Sequence, residues 1–386
     1  MREIDSEGVP IKVWATEIDD STMAQARNLA NLPFAFRHVA IMPDAHVGYG
    51  MPIGGVLAAI DRIIPNAVGL DIGCGVCAWR TGISAEEFLG HRSAILNDVQ
   101  RSVPQGFHWH RESQRHRTDL FDSIPEIALL SEQAHKIERQ AGTLGGGNHF
   151  IEFQRDGEDV IWIMVHSGSR NLGKQVAEHY DAIARKINAA EGWKVPKAWE
   201  LAYLDISSPE GREYLQAMAW CLRFARENRR LIADSVHTVV VRRFPQASFD
   251  DVIDVHHNYA AVETHFGREV VVHRKGAVRA VGRVIVPGSM GTASYICRGL
   301  ANPDSFESCS HGSGRALGRK AAMRAISPES VKAQLKDSDV EFVAAKKGRI
   351  AEEAPAAYKD IEEVMNEQSD LVERVVRLLP VGVVKG

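Results

Sequence analysis

Six residues scattered along the chain are of the types that bind transition metals or carry phosphoryl groups: Asp71, Cys74, His149, His166, His257 and His311. Asp71 and Cys74 fall in Gly69-Leu-Asp-Ile-Gly-Cys-Gly75, and His149 closes Leu144-Gly-Gly-Gly-Asn-His149. His166 opens His166-Ser-Gly-Ser-Arg170. His257 is the second histidine of His256-His257-Asn258, and His311 lies in Cys309-Ser-His-Gly-Ser-Gly-Arg315. Thiolate, carboxylate and imidazole are the side chains that hold transition metals. Glycines beside them let backbone amides approach a phosphate closely. Metal, phosphate and a spare histidine together suggest nucleotidyl transfer.

Each motif also has a plainer reading. Cys74-Gly-Val-Cys77 has the spacing of a redox pair or half a zinc ribbon, but there is no second such pair to complete a ribbon. Asp71 three residues earlier favours Cys74 as a ligand, with Cys77 a small buried hydrophobe. His149 alone would be an ordinary hydrogen-bonding histidine; the loop Gly145–Asn148 turns backbone donors toward an anion. His166 stands ahead of Arg170 and a helix start, a natural phosphate site. Of His256 and His257, only one can face the site if the segment is extended. Asp44 and His46 share one face of a strand, where the carboxylate could orient a catalytic histidine. Phe107-His-Trp-His-Arg111, with Arg115, His116 and Arg117 beyond, could stack on and pair with RNA, or be a solvated loop.

These groups must be positioned by a sizeable fold. The chain has 386 residues, 45% of them hydrophobic and 25% charged, enough for a large core. A formal charge of -4 argues against a general nucleic-acid coat but permits a local basic groove. No apolar run reaches membrane-spanning length, and Met1–Pro10 is too polar for a secretory signal. Five cysteines, an odd number, fit reduced thiols in the cytoplasm. Helices are expected at Thr22–Asn31 with Ser21 as cap, Ala85–Val103, Glu126–Ala141, Lys174–Ala190 and from Ser208 to about Val241. Further helices are expected at Arg315–Ala325, Pro328–Leu335 and Ile361–Leu379. Strands are expected at His38–Met42, Ile53–Ile60, Ala67–Asp71, Phe150–Phe153, Val160–Val165, Val252–Val255, Glu269–His273, Ala277–Val286 and Val381–Lys385. This irregular interleaving predicts an α+β fold rather than a doubly wound one. Motifs spread from residue 44 to residue 385 predict one domain.

Taken together, the motifs resemble the RtcB family of GTP-dependent RNA ligases. The resemblance runs from Pro43-Asp-Ala-His46 to Val384-Lys385-Gly386. It includes Gly69–Gly75, Gly145–Phe150, His166–Gly173, His256–Tyr259, Arg274–Ala277, Pro287–Gly291, Ser308–Arg315 and Ala357–Ile361. The matching blocks leave out residues 104–140, and Tyr49 stands where many members carry lysine. The resemblance implies one catalytic domain over residues 1–386, with mixed sheets flanked by helices. It also implies a ligase that joins an RNA 3′-phosphate or 2′,3′-cyclic phosphate to a 5′-hydroxyl, using GTP and two Mn²⁺ ions, in tRNA splicing or RNA repair.

By that resemblance Asp71, Cys74, His149, His166 and His257 are the metal ligands, with Cys74 bridging. His311 is the guanylylated nucleophile and Asp44 the carboxylate beside it. Asn148, Arg170 and Ser289 surround phosphates; Glu152, Tyr358 and Lys385 hold guanine. Arg315, close after His311, is within reach of phosphate oxygens. The expected partners are RNA and GTP, with room for an activating protein; the chain is expected to act as a monomer. A 3′-phosphate is a poor electrophile, and GMP transferred through an imidazole would activate it in two easier steps. The competing reading is a metal-dependent phosphoesterase acting on RNA 3′ ends, which needs the metal ligands but no guanine pocket.

Overall fold

The computed structural model describes residues 1–344 and 347–386. Two large twisted sheets carry the fold, with helices packed around them. The first runs Arg2–Ile4, Ile11–Val13, Ala35–His46, Ile53–Ala59, Arg268–Lys275, Asn258–His265. The second runs Phe249–His256, Gly75–Ser84, Val160–Ser167, Phe150–Arg155, Val372–Lys385, Ser294–Leu300, Val281–Val286, and Glu341–Ala344 pairs in parallel beside Val372–Lys385. The architecture is the expected α+β one.

Register in the second sheet explains how distant residues meet. Val76 pairs with His166, His166 with Phe150, and Phe150 with Lys385. Side chains paired across strands share a face. One row therefore puts His166, Phe150 and Lys385 on the same side. The next row, Cys77, Val165, Ile151 and Val384, faces the other way into a buried cluster with Ile232 and Val236. Cys77 thus packs as a small hydrophobe, on the face away from Val76.

The long helix Pro209–Val241 covers the site from behind. Ser208 caps it by accepting from the Gly211 amide, and Pro209 takes the first turn, where its missing N–H costs nothing. Its buried stripe includes Tyr214, Ala217, Cys221, Phe224, Asn228, Leu231 and Ile232, at three- and four-residue intervals. Two of its buried residues are polar, and both serve the site.

Several expected elements differ. Ala67–Asp71 is no strand: Pro65 opens a short helix, Pro65–Val68, and Gly69 at φ 95° ends it. The Thr22–Asn31 helix is Asp20–Ala30, and its cap is Asp19, which accepts from Thr22. Ser84 and Glu87 form the expected capping box, but the helix behind them breaks at Gly90–His91 into Ala85–Leu89 and Arg92–Ser102. Ile361–Leu379 is the largest miss. Its helix stops at Glu367, and Val372–Lys385 is a 14-residue strand. Valines at 372, 375 and 376 with leucines at 378 and 379 imitate helical spacing, while β-branched crowding favours the strand. The helix after His311 begins at Arg319 rather than Arg315. Val281–Val286 is separated from Ala277–Arg279 at Ala280, and the strands Asn258–His265 and Ser294–Leu300 were not anticipated.

Candidate metal centre and nucleotide cavity

Three loops bring the first ligand set together. Asp71 and Cys74 sit between the short helix and strand Gly75–Ser84; His149 sits just before strand Phe150–Arg155; His166 is next to last in strand Val160–Ser167, ahead of the helix Arg170–Ala190. Asn228 and Arg229 of the long helix fasten these loops. The Asn228 amide donates to Thr143 O, Ser167 Oγ and Gly168 O. Arg229, fully buried, donates to Gly73 O and Ser167 O and pairs with Asp254 at 2.5 Å. His257 joins through its backbone, donating to Cys74 O and accepting from the Ala277 amide.

Side-chain atoms of Asp71, Cys74 and His149 lie within 4.8 Å of one another, and so do those of Cys74, His166 and His257. Cys74 belongs to both groups. Its sulfur is 3.4 Å from His149 Nε2 and 3.2 Å from His166 Nε2. His149 Nδ1 donates to Leu144 O at 2.9 Å, and its Nε2 meets Asp71 Oδ2 at 3.0 Å. Asp71 Oδ1 and His257 Nδ1 are buried with no hydrogen-bond partner among the described residues. A Cβ at Gly168 would collide with the Asp71 carboxylate, so only glycine leaves that carboxylate room. Buried polar atoms ordinarily find partners. The donor set and its orphaned atoms fit two cations sharing Cys74.

Electrostatics agree with that fit. Burial holds the His166 and His257 imidazoles well below the usual range, in the neutral form that ligates metals. Burial also works to raise the Asp71 carboxyl, but the His149 hydrogen bond and the charges of His149 and Arg170 override it and leave it lowered. The Cys74 thiol is pushed well up by burial and then by the Asp71 charge, so the thiolate calls for a cation to stabilise it.

His311 stands beside this cluster, its ring centroid 4.9 Å from that of His257. Strand Ser308–Ser310 delivers it, paired with Ala277–Arg279. His311 Nδ1 donates to Asp44 Oδ2 at 2.6 Å, and its backbone amide donates to the same oxygen at 3.1 Å. Asp44 is fully buried. The carboxylate fixes the proton on Nδ1 and leaves Nε2 as a lone pair. His46 instead turns Nδ1 to Asp44 O, and burial brings its pKa down to about 4.

A cavity of about 620 Å³ opens from His311, lined also by His46, Asn148, Phe150, Glu152, His166, Ser289, Arg315, Arg319, Glu353, Tyr358 and Lys385. Every sequence-named nucleotide residue lines it except Arg170. That residue begins its helix behind the glycine-rich loop, bonded to Thr143 Oγ1 and Gly106 O, and faces a second cavity. In this cavity Lys385 Nζ donates to Glu353 Oε2 at 3.2 Å and Asn148 O at 3.3 Å. Tyr358 donates to Glu353 at 2.5 Å, and the Arg315 guanidinium lies 4.9 Å from the Tyr358 ring centre. Arg315, expected at phosphate, is tied here to Glu353 and Tyr358. Burial lifts the Glu152 carboxyl to about 8 despite the opposing Lys385 charge.

Glu353, Asn228 and Arg229 were not foreseen. Glu353 stands in Ala351-Glu-Glu-Ala354, with no glycine or histidine to mark it. Asn228 and Arg229 interrupt an apolar helical stripe, and that interruption was the available signal.

Comparison with known proteins now bears on this geometry. The sequence profile described as tRNA-splicing ligase RtcB matches residues 25–129 and 125–386. The chain belongs to the RtcB family. It is 37% identical to the RNA-splicing ligase RtcB of Escherichia coli K12, over 99% of this chain and 98% of that protein. It is 34% identical to the tRNA-splicing ligase RtcB of Thermococcus kodakarensis, over 98% of this chain and 95% of that one. The RNA-splicing ligase RtcB of Mycobacterium tuberculosis is 34% identical over 94% of this chain and all of its own length. No helix among the described residues is long and apolar enough to cross a membrane. All five cysteines are buried and unpaired.

Proposed function

We propose that this chain is an RNA ligase that joins RNA 3′-phosphate or 2′,3′-cyclic phosphate ends to 5′-hydroxyl ends, with GTP as the activating nucleotide and Mn²⁺ as the metal. The observation that carries the reading is the Asp44–His311 pair, 2.6 Å apart, at the junction of the metal-ligand cluster and the cavity. A phosphoesterase would need the cluster but no nucleophile held in this way. Family membership supports the ligase class.

In this reading His311 Nε2 attacks the α-phosphorus of GTP. The N–P bond forms, the P–O bond to pyrophosphate breaks, and pyrophosphate leaves. Asp44, holding Nδ1–H, stabilises the positive charge that builds on the ring. An oxygen of the RNA 3′-phosphate then attacks the same phosphorus, and the N–P bond breaks to release His311. The RNA 5′-hydroxyl attacks the activated 3′ phosphorus, GMP leaves, and the hydroxyl proton passes to solvent. A cyclic phosphate must first be hydrolysed to the 3′-phosphate.

Asp71, Cys74, His149, His166 and His257 would hold two Mn²⁺ ions, with Cys74 shared. Bound there, the metal supplies Lewis acidity toward phosphate oxygens. Asn148, Ser289 and Arg170 would steady phosphates. Glu152 would accept from guanine N–H groups, Lys385 would donate to its carbonyl oxygen, and Tyr358 would stack on the ring. Every group named comes from one chain, from residue 44 to residue 385, which supports a single catalytic domain acting as a monomer; family membership supports a role in tRNA splicing or RNA repair.

The test is incubation with α-labelled GTP and Mn²⁺, followed by a denaturing gel. Label retained by the protein, and not obtained from ATP, is the expected result. RNA end hydrolysis without any labelled protein would replace the ligase with the phosphoesterase.

A further inference from the structure

Behind the wall of the nucleotide cavity lies a buried glutamine. Gln154 stands two residues after Glu152 on the strand Phe150–Arg155, so the two side chains share a face of the sheet. Gln154 is fully buried, while Glu152, 3% exposed, lines the cavity. Gln154 Nε2 donates to Glu152 Oε2, and also to Ser294 Oγ at 2.9 Å. Its Oε1 is buried with no hydrogen-bond partner among the described residues. An amide oxygen left unpaired in the core is costly, and an apolar side chain of the same shape would avoid that cost. The amide is therefore to be explained by what its two N–H groups hold.

Both groups lead to the cavity. Ser294 Oγ also accepts from the Gly288 amide at 3.1 Å, and Gly288 and its neighbour Ser289 line the cavity. Pro287, one residue earlier, accepts through its carbonyl from the Ser313 amide at 3.0 Å, two residues beyond His311. A path of hydrogen bonds thus runs from Glu152 through Gln154 and Ser294 to the loop Pro287–Ser289, and on to the segment that carries His311. With Oε2 taken by Gln154, Glu152 keeps Oε1 for the cavity. Burial raises the Glu152 carboxyl, and the Lys385 charge and the Gln154 hydrogen bond oppose it by favouring the ionised form. A carboxylate only accepts. It therefore favours a base edge with N–H groups, as in guanine, over one whose ring nitrogen is itself an acceptor, as in adenine.

We infer that Gln154 is a positioning residue for nucleotide selection: it holds Glu152 Oε2 and the Gly288 loop at a fixed separation, so that Glu152 Oε1 meets the base while Ser289 meets the phosphates. The inference rests on the proposed nucleotide reading of the cavity. It adds to that reading a residue outside the cavity and a route by which the choice of base reaches His311.

The test reads binding rather than ligation. Fluorescent GTP and ATP analogues are titrated against the full chain, and the ratio of their dissociation constants gives the preference. Gln154→Met nearly keeps the volume and removes both donors. It should lower the preference for GTP about tenfold, the weight of a hydrogen bond to a charged group. In a Glu152→Gln background the same change should lower it no further, because Gln154 acts through Glu152. Ser294→Ala, which frees the amide from its second anchor, should lower the preference by a smaller factor, and it answers the same question should the methionine variant not fold. Affinity lost equally for both nucleotides, with the ratio kept, would make Gln154 a structural residue and overturn the inference. So would a loss in the double variant equal to the product of the two single losses. A wild-type chain with no preference for GTP would overturn the guanine reading itself, and the inference with it. If the preference follows Gln154 in a chain that never takes label from GTP, the inference stands and the ligase reading falls.

Discussion

The two ends of the nucleotide cavity are built on opposite principles. At the metal end, polar atoms are left over: Asp71 Oδ1 and His257 Nδ1 have no hydrogen-bond partner among the described residues, and Cys74 sulfur contacts two imidazoles. At the proposed base end, the charged groups are paired: Glu353 takes Lys385, Arg315 and Tyr358 together. The first arrangement gains from a ligand outright. In the proposed reading the second would exchange protein partners for a base, so its affinity would be a difference between two satisfied states. Rate should therefore reside at the metal end and discrimination between nucleotides at the base end.

The sharpest break in this comparison is His311→Ala, which should abolish label transfer from GTP while metal content and melting temperature stay at wild-type values. Label retained by that variant would remove the nucleophile from the proposal. Next comes the shared sulfur. Cys74→Ala should lower metal occupancy, measured by elemental analysis, far more than Cys77→Ala, because Cys77 faces the buried cluster on the other side of its strand. Equal losses would revive a two-cysteine site. Glu353→Ala tests the other end: removing a buried anion from three cations should cost about 3 kcal/mol of stability by denaturant titration. Glu353→Gln should restore much of that, with weakened preference for GTP over ATP as the remaining defect. Unchanged preference in the glutamine variant would place base discrimination elsewhere.

The smallest effect concerns pH. Burial lifts the Glu152 carboxyl from 4.5 to about 8, so the folded chain keeps a proton that the unfolded chain has released. Stability should then fall as pH rises across that window, since the folded state binds more protons. Glu152→Gln cannot titrate, and its melting temperature should fall less between pH 5 and pH 8 than the wild type's. Parallel curves for the two proteins would count against a buried neutral Glu152.

The site was more legible than the fold around it. Glycine flanks marked Asp71, His149, His166 and His311, because a backbone that must pass close to a ligand leaves a compositional trace. Glu353 left none, since its role comes from three cations delivered by other segments. The strand Val372–Lys385 was misread over half its length, because apolar pairs at 371–372, 375–376 and 378–379 satisfy either period and only the sheet decides between them. Even so, the expected strand at Val381–Lys385 places Lys385 in register with Phe150, which the sequence pattern alone could not specify. The helix expected from Lys174 begins at Arg170, whose side chain turns toward the second cavity because it is bonded to the loop at Gly106.

Asn228 and Arg229 have a consequence for how the molecule acquires activity. They tie segments near residues 73, 143, 167 and 254, which are far apart in sequence, to one point on a helix. Contacts of such long sequence separation form late, because loop closure must precede their reward. During refolding, helical signal should return before catalytic competence, and the delay should track docking of the long helix rather than any local event.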